Sequence, residues 1–245
     1  MNLIIDAGNT FVKMAVFQGN TLVFDESFEK KYFQEKIEKF FKAYNKIDAL
    51  ITSSVTTLSE DTQKYLASLK VQVMKLTYKT NVPFQNAYKT PETLGVDRIA
   101  LTMAAVSEYP NKNVLVIDAG TCITYDFKTT NEEYLGGGIS PGIRLRYKSL
   151  NLLTANLPLL EPIMPEKYIG DSTETAIHSG VMLGVLAEID GIIDEYKQQF
   201  EHLTVILTGG DANFLAKRLK NTIFANSKFL LQGLNYVLEY NRYND

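Results

Sequence analysis

The chain has 245 residues, 45% of them hydrophobic, and its 25 basic against 28 acidic residues leave a formal net charge of −3. That is enough to build a sizeable core in one large or two modest domains, and it gives no electrostatic case for nucleic acid binding. One cysteine, Cys122, and two histidines, His178 and His202, allow neither an intrachain disulfide nor a structural zinc cluster. The chain therefore reads as a cytoplasmic protein, with no membrane partner, since no apolar run approaches the roughly 18 residues a span needs.

In chain order, "LIIDAGNTFV" opens with a buried-strand run, Leu3 to Ile5, and breaks at a polar turn around Gly8. Asp6, Asn9 and Thr10 gather there, beside backbone N–H groups that suit a phosphate, although a hairpin with an Asx-turn reads equally well. "FVKMAVFQ" and "TLVFDESF" continue as strands. "FEKKYFQEKIEKFFKAYNK" is a solvated amphipathic helix, because its charges are mixed while Ile37, Phe40, Phe41 and Tyr44 share one face. Strand "DALITSSV" follows, then a helix around "SEDTQKYLASL" started by Ser59 with Glu60 and Asp61, then strand "VQVMKL". "NVPFQNAYKTPETLG" is a loop carrying Pro83 and Pro91. "GVDRIALTMAAVSEY" is a helix with Ile99, Met103 and Val106 inward, and "PNKN" marks the boundary between halves.

The second half starts as the first did. "LVIDAGTCIT" lies over the opening stretch at a constant offset, with Asp118 facing Asp6 and Gly120 facing Gly8. Strands "CITYDFK" and "EEYLGGG" follow, then helices in "GIRLRYKSLNLLTANL" and "STETAIHSGVMLGVLAEIDGIIDEYKQQ", strand "LTVILT", the "GGDANFLAKRLK" turn and helix, and a last helix through "FLLQGLNYVLEY". The halves are thus expected at 1–112 and 113–245, each α/β and each offering one phosphate turn.

A carboxylate beside bound polyphosphate has one comfortable role, holding a divalent cation, which points to Mg²⁺ with ATP at Asp6 and Asp118. Asn9, Thr10 and Thr121 add neutral donors. Gly209 and Gly210 in "TGGDA" let a nucleotide approach the backbone, or form an ordinary turn with Asp211 as helix cap. "GGGISPG" reads as a shaped wall or hinge. Asp97 and Arg98 in "LGVDRIA" are a helix cap with a salt bridge, or an acceptor-binding pair, for which arginine's fork suits an anion better than lysine's point charge. Ser172 or Thr173 caps the long helix, His178 is a satisfied, semi-buried histidine, and Cys122 is buried packing.

Taken together and in this order, "DAGNT", "LGVDR", "DAGTC", "GGGISPG", "GDSTETA" and "TGGDA" resemble the type III pantothenate kinases, of the acetate-and-sugar-kinase, hsc70 and actin superfamily. The resemblance implies two duplicated ribonuclease-H-like (actin-like ATPase) domains with a nucleotide cleft between them. It also implies ATP-dependent phosphorylation of pantothenate to 4′-phosphopantothenate, the first step of coenzyme A biosynthesis, with a divalent cation such as Mg²⁺, a monovalent cation, K⁺ or NH₄⁺, and a homodimer. By position, Asp97 matches the general base, and Tyr88, Gly95, Arg98 and Thr173 match the pantothenate contacts. Asp6 matches the carboxylate that organises the divalent ion, through water, and Asp118 the one that helps hold the monovalent ion. Gly8, Asn9, Thr10, Gly120, Thr121, Gly209 and Gly210 match the nucleotide-binding loops. Cys122 stands where the family commonly has alanine. Rival readings on the same scaffold are a sugar or acetate kinase, a polyphosphate phosphatase and an idle binding protein.

Overall fold

Leu3, Ile4 and Ile5 are fully buried because the strand they form is covered on both faces. The computed structural model describes residues 1–8, 11–44, 46–54, 60–69 and 71–244, so Asn9, Thr10 and the expected helix-starting Ser59 lie outside the described residues. The chain divides into two compact units, one made of Met1–Pro110 with Phe229–Asp245, the other of Asn111–Lys228.

In the first unit, β1 (Asn2–Ala7), β2 (Phe11–Gln18) and β3 (Thr21–Glu29) form an antiparallel meander. Helix α1 (Phe33–Ala43) then carries the chain across to β4 (Ala49–Ser54), which lies parallel to β1, and α2 (Glu60–Ser68) leads to β5 (Gln72–Lys75), parallel to β4. The sheet order is β3-β2-β1-β4-β5. One face packs Leu3, Ile5, Val12, Met14 and Val16 against Phe33, Ile37 and Phe40 of α1. A two-residue strand, β6 (Gln85–Asn86), and one 3₁₀ turn interrupt the Pro-rich loop before α3 (Val96–Glu108), in which Ile99, Met103 and Val106 are buried as expected.

The second unit repeats this plan. β7 (Val114–Ala119), β8 (Cys122–Lys128) and β9 (Glu133–Pro141) form its meander, followed by α4 (Ile143–Leu152), α5 (Thr173–His178), α6 (Gly184–Gln199), β10 (Thr204–Thr208), α7 (Ala212–Ala216) and β11 (Phe224–Ala225). β10 runs parallel to β7 and β11 parallel to β10, giving the five strands contributed by this unit the order β9-β8-β7-β10-β11 within a six-stranded sheet, the same order as in the first unit and with the same strand senses. α5 and α6 are one helix joined by a π turn at Ser179–Leu183. Thr173–Gln199 is long and apolar enough to cross a membrane by length and composition, a stretch the sequence reading passed over. Its Val185, Ile189 and Ile193 are instead packed into the core of this unit.

Four further expectations change. The last helix, α8 (Phe229–Asn244), groups with the first unit: it packs on α3, β1 and β4, burying Leu231, Leu234 and Val237, and Asn2 Nδ2 donates to Asn235 Oδ1 at 2.9 Å. β9 continues through the glycine run, because its ladder with β8, from Cys122↔Pro141 to Lys128↔Tyr134, is made by main chain and does not need side chains. Cys122 is exposed, since it stands at the first position of β8, before the buried Ile123. The constant offset between the two halves ends at the glycine: Ala7 pairs with Val12 but Ala119 with Ile123, so the second turn is one residue shorter.

Candidate active site

The first unit holds Tyr88, Gly95, Asp97 and Arg98, three of the four residues read as pantothenate contacts with the expected base, and one of the two repeat aspartates; the fourth contact, Thr173, lies in the second unit. Asp6 stands at the end of β1, where Gly8 N donates to Phe11 O at 3.0 Å to close the turn. Register places it directly opposite Lys13 on β2 and Ser53 on β4. Burial pushes the Asp6 carboxyl up to about 6; the Lys13 ammonium pulls it down, and the negative charge of Asp97 pushes it up. Asp6 and Asp97 therefore lie within electrostatic reach of each other.

Asp97 sits in the first turn of α3. The N-cap is Gly95, which makes no side-chain bond, so Asp97 is not the cap; its Oδ1 accepts instead from Arg98 N at 2.9 Å. A Cβ on Gly95 would stand 2.4 Å from that same Oδ1, so the absence of a side chain at Gly95 gives the carboxylate its place. Arg98 is buried, 4% exposed, with its guanidinium 5.6 Å from the centre of the Tyr88 ring. A buried planar cation braced by an aromatic face is shaped to receive a carboxylate or phosphate. Tyr88 is held by Asn86, whose Oδ1 accepts from Tyr88 N at 3.0 Å.

The second unit gathers the other loop residues. Asp118 ends β7, in register with Thr124 and Thr208, and Gly120 N donates to Cys122 O at 2.9 Å. Gly209 follows Thr208 with φ +95°, a conformation L side chains rarely adopt, and a Cβ there would lie 2.4 Å from both Ala119 O and Asp118 Oδ1. The "GGD" turn is thereby seated on the β7 turn, where Asp211 N donates to Ala119 O at 3.0 Å. Gly210 has open space around it, and Thr121 is exposed. Gly142 N, at the start of α4, donates to Thr121 O at 3.0 Å. Asp211 holds the N-cap position of α7, but its side chain pairs with Arg144 at 3.1 Å and makes no cap bond.

Thr173 stands exposed in the first turn of α5. The cap is Ser172, whose Oγ accepts from Thr175 N at 3.2 Å while Thr175 Oγ1 accepts from Ser172 N at 2.9 Å. His178 is half-buried and bonded through Nδ1 to the Tyr147 hydroxyl at 2.7 Å, as a satisfied histidine should be. Sequence reasoning missed Lys13, Ser53 and Thr208. Their signal was a polar residue in a buried strand, one strand away from each aspartate. Among the described residues, no three His, Cys, Asp or Glu side chains converge as a metal cluster.

A family model described as type III pantothenate kinase matches residues 2–195. The type III pantothenate kinase of Christiangramia forsetii is 54% identical over 242 residues, covering 99% of this chain and 99% of its own. That of Flavobacterium johnsoniae is 50% identical over 246 residues, covering both chains fully, at 100% each. Among solved structures, a Baf family protein of Campylobacter jejuni is 22% identical with a TM-score of 0.62, over 98% of this chain and 99% of that one, which shows a shared fold.

Proposed function

The chain belongs to the type III pantothenate kinase family and phosphorylates pantothenate with ATP to 4′-phosphopantothenate, the first step of coenzyme A biosynthesis; from that premise we propose how its residues divide the work. Asp97 takes the proton of the pantothenate hydroxyl as that oxygen attacks the γ-phosphorus. Arg98, Tyr88, Gly95 and Thr173 hold pantothenate. The turn at Gly8, Asn9 and Thr10 and the turn at Gly120 and Thr121 meet the phosphates, while Gly209 and Gly210 meet the rest of the nucleotide. The observation that carries this reading is the opening of α3, where Gly95 leaves room for the Asp97 carboxylate and that carboxylate stands within electrostatic reach of Asp6.

The two units are read as copies of one ribonuclease-H-like domain, supported by their identical strand order and senses. Asp6, with the Ser53 hydroxyl beside it, is an all-oxygen set of the kind that suits Mg²⁺, held through its waters. When bound, that ion supplies charge neutralisation for the phosphates. Asp118, next to the main-chain oxygens of its turn, is read as the K⁺ or NH₄⁺ carboxylate. A homodimer is supported by exposed large apolar side chains on the second unit, where Leu152 and Leu153 are 81% and 79% exposed and Tyr168 and Ile169 80% and 82%. A cytoplasmic location completes the reading.

Asp97→Asn tests the core of it. General-base assistance contributes about 10² to 10⁴-fold, so kcat should fall by about two orders of magnitude or more, with ATP affinity nearly unchanged. A kcat close to that of the wild type would remove Asp97 from the chemistry.

A further inference from the structure

The long helix of the second unit carries an apolar repeat that a plain α-helix would not keep on one side. Ile177, Val181, Val185, Ile189 and Ile193 recur at every fourth position, and all are buried in that unit's core. At about 100° per residue, a plain α-helix would turn Ile177 about 160° round the axis from Ile193, onto the far side. The π turn at Ser179–Leu183 takes up about one residue's rotation, about 100°, and so returns Ile177 toward the buried face. Thr173 stands one turn before Ile177. The π turn therefore also decides where Thr173 lies round the axis.

π turns are rare and occur mostly as single turns inside α-helices, frequently at functional sites. In α5, Ile177 is buried and His178 half-buried while Thr173, Glu174, Thr175 and Ala176 are exposed, so packing alone gives this short segment little purchase. Two side-chain bonds hold the junction instead. The Tyr147 hydroxyl of α4 bonds to His178 Nδ1 at 2.7 Å, directly before the π turn, and Ser179 Oγ donates to Tyr168 O in the segment ahead of α5. Burial raises the Tyr147 hydroxyl above its ordinary range, so it keeps its proton and is the donor, with Nδ1 as acceptor. We propose that Tyr147 and His178 are positioning residues for phosphoryl transfer to pantothenate: their hydrogen bond locks the π turn and thereby sets Thr173 on the acceptor. Both act through Thr173 and take no part in the bond changes. The proposal rests on the reading of Thr173 as a pantothenate contact.

Tyr147→Phe keeps the buried ring and removes only the hydroxyl, His178→Leu removes the acceptor, and His178→Asn keeps an acceptor oxygen near the Nδ1 position. The net contribution of one such bond corresponds to about two- to twelvefold in an equilibrium constant. The KM for pantothenate should therefore rise about fivefold in Tyr147→Phe and His178→Leu, with the KM for ATP changed by less than about twofold and His178→Asn restored to about the wild-type value. Deleting Gly180, which is exposed with open space around it, converts the π turn to an α turn and rotates α5 by about 100°. That deletion should lower kcat/KM for pantothenate by about 10²-fold while calorimetric titration shows ATP still bound. A pantothenate KM within about twofold of wild type in both Tyr147→Phe and His178→Leu overturns the proposal, as do KM values for pantothenate and ATP that rise together, or a His178→Asn no better than His178→Leu. Should the deletion not fold, the three point variants decide alone. Failure of the underlying reading looks different: Thr173→Val would then keep its pantothenate KM, whereas a wrong role for the π turn leaves Thr173→Val impaired and Tyr147→Phe normal.

Discussion

Gly95→Ala is the sharpest test of the α3 opening, because a single methyl there has only one place to go. Its Cβ would stand 2.4 Å from Asp97 Oδ1, 3.5 Å from Asp97 Cγ and 3.8 Å from Arg98 Cγ. Ordinary non-bonded contact needs about 3.5 Å, so the carboxylate must retreat by about 1 Å and give up its 2.9 Å bond from Arg98 N. The backbone itself is indifferent, since Gly95 lies at φ −57° and ψ 131°, which alanine adopts freely. Loss of glycine's N-cap preference costs about 0.5–1 kcal/mol, and the smaller entropy of the unfolded chain returns about 0.4–1 kcal/mol. Stability should therefore change by less than about 1 kcal/mol. A misplacement of about 1 Å at a reacting group can cost about 10²-fold, or roughly 2.7 kcal/mol of barrier. Steady-state kinetics with pantothenate varied at saturating ATP, beside a thermal melt, reads both. Turnover within threefold of wild type would show that the carboxylate has no need of that position. A melting temperature lowered by ten degrees or so would show that the glycine serves the fold.

Asp6, with its carboxyl raised from 3.8 to about 6, binds a proton in the native state that the unfolded chain has already released between those values. Its contribution to stability is complete below the lower value and is lost as pH rises through the upper one, so Asp6→Asn should gain in melting temperature relative to wild type between pH 4 and 7; a constant difference would place the carboxyl in an ordinary environment. The same substitution should abolish most activity at saturating Mg²⁺. Arg98→Ala should raise the KM for pantothenate by at least about tenfold, equivalent to about 1.4 kcal/mol, and an unchanged KM would take the guanidinium off the acceptor. Light scattering should give twice the 27.6 kDa of the chain, falling to one copy in Leu153→Lys with Ile169→Lys; a fully active wild-type monomer would refute the shared assembly.

Much of this was legible because it depends on local order along the chain. Asp6 and Asp118 end apolar runs and precede a glycine, and the alternation that buries Leu3 and Ile5 also fixes where the strand stops. Asp97 and Arg98 could be placed at a helix start because the proline-rich segment before them has no period. The partners of Asp6 could not be found that way. Lys13 and Ser53 reach it only through the pairing of three strands, and identity of motif hid the residue missing from the second turn. The strand through Gly136 and Gly137 was hidden for a related reason: a ladder of main-chain bonds leaves no signature in side chains. Cys122 was misjudged because thiols are so often buried that one residue's offset at a strand end outweighs the statistic.

The placement of α8 has a consequence for how the molecule is made. The chain leaves the first unit after Pro110 and returns to it at Phe229, with the whole of Asn111–Lys228 lying between. While the ribosome is still translating that middle stretch, β1 and β4 wait without the helix that will bury Leu231, Leu234 and Val237 against them. The second unit, being continuous, can close as soon as it emerges, whereas the first must stay open until the stretch that forms α8 has followed it. The usual order of synthesis, in which the leading domain folds first, is therefore reversed: a segment made after the second unit completes the structure begun before it.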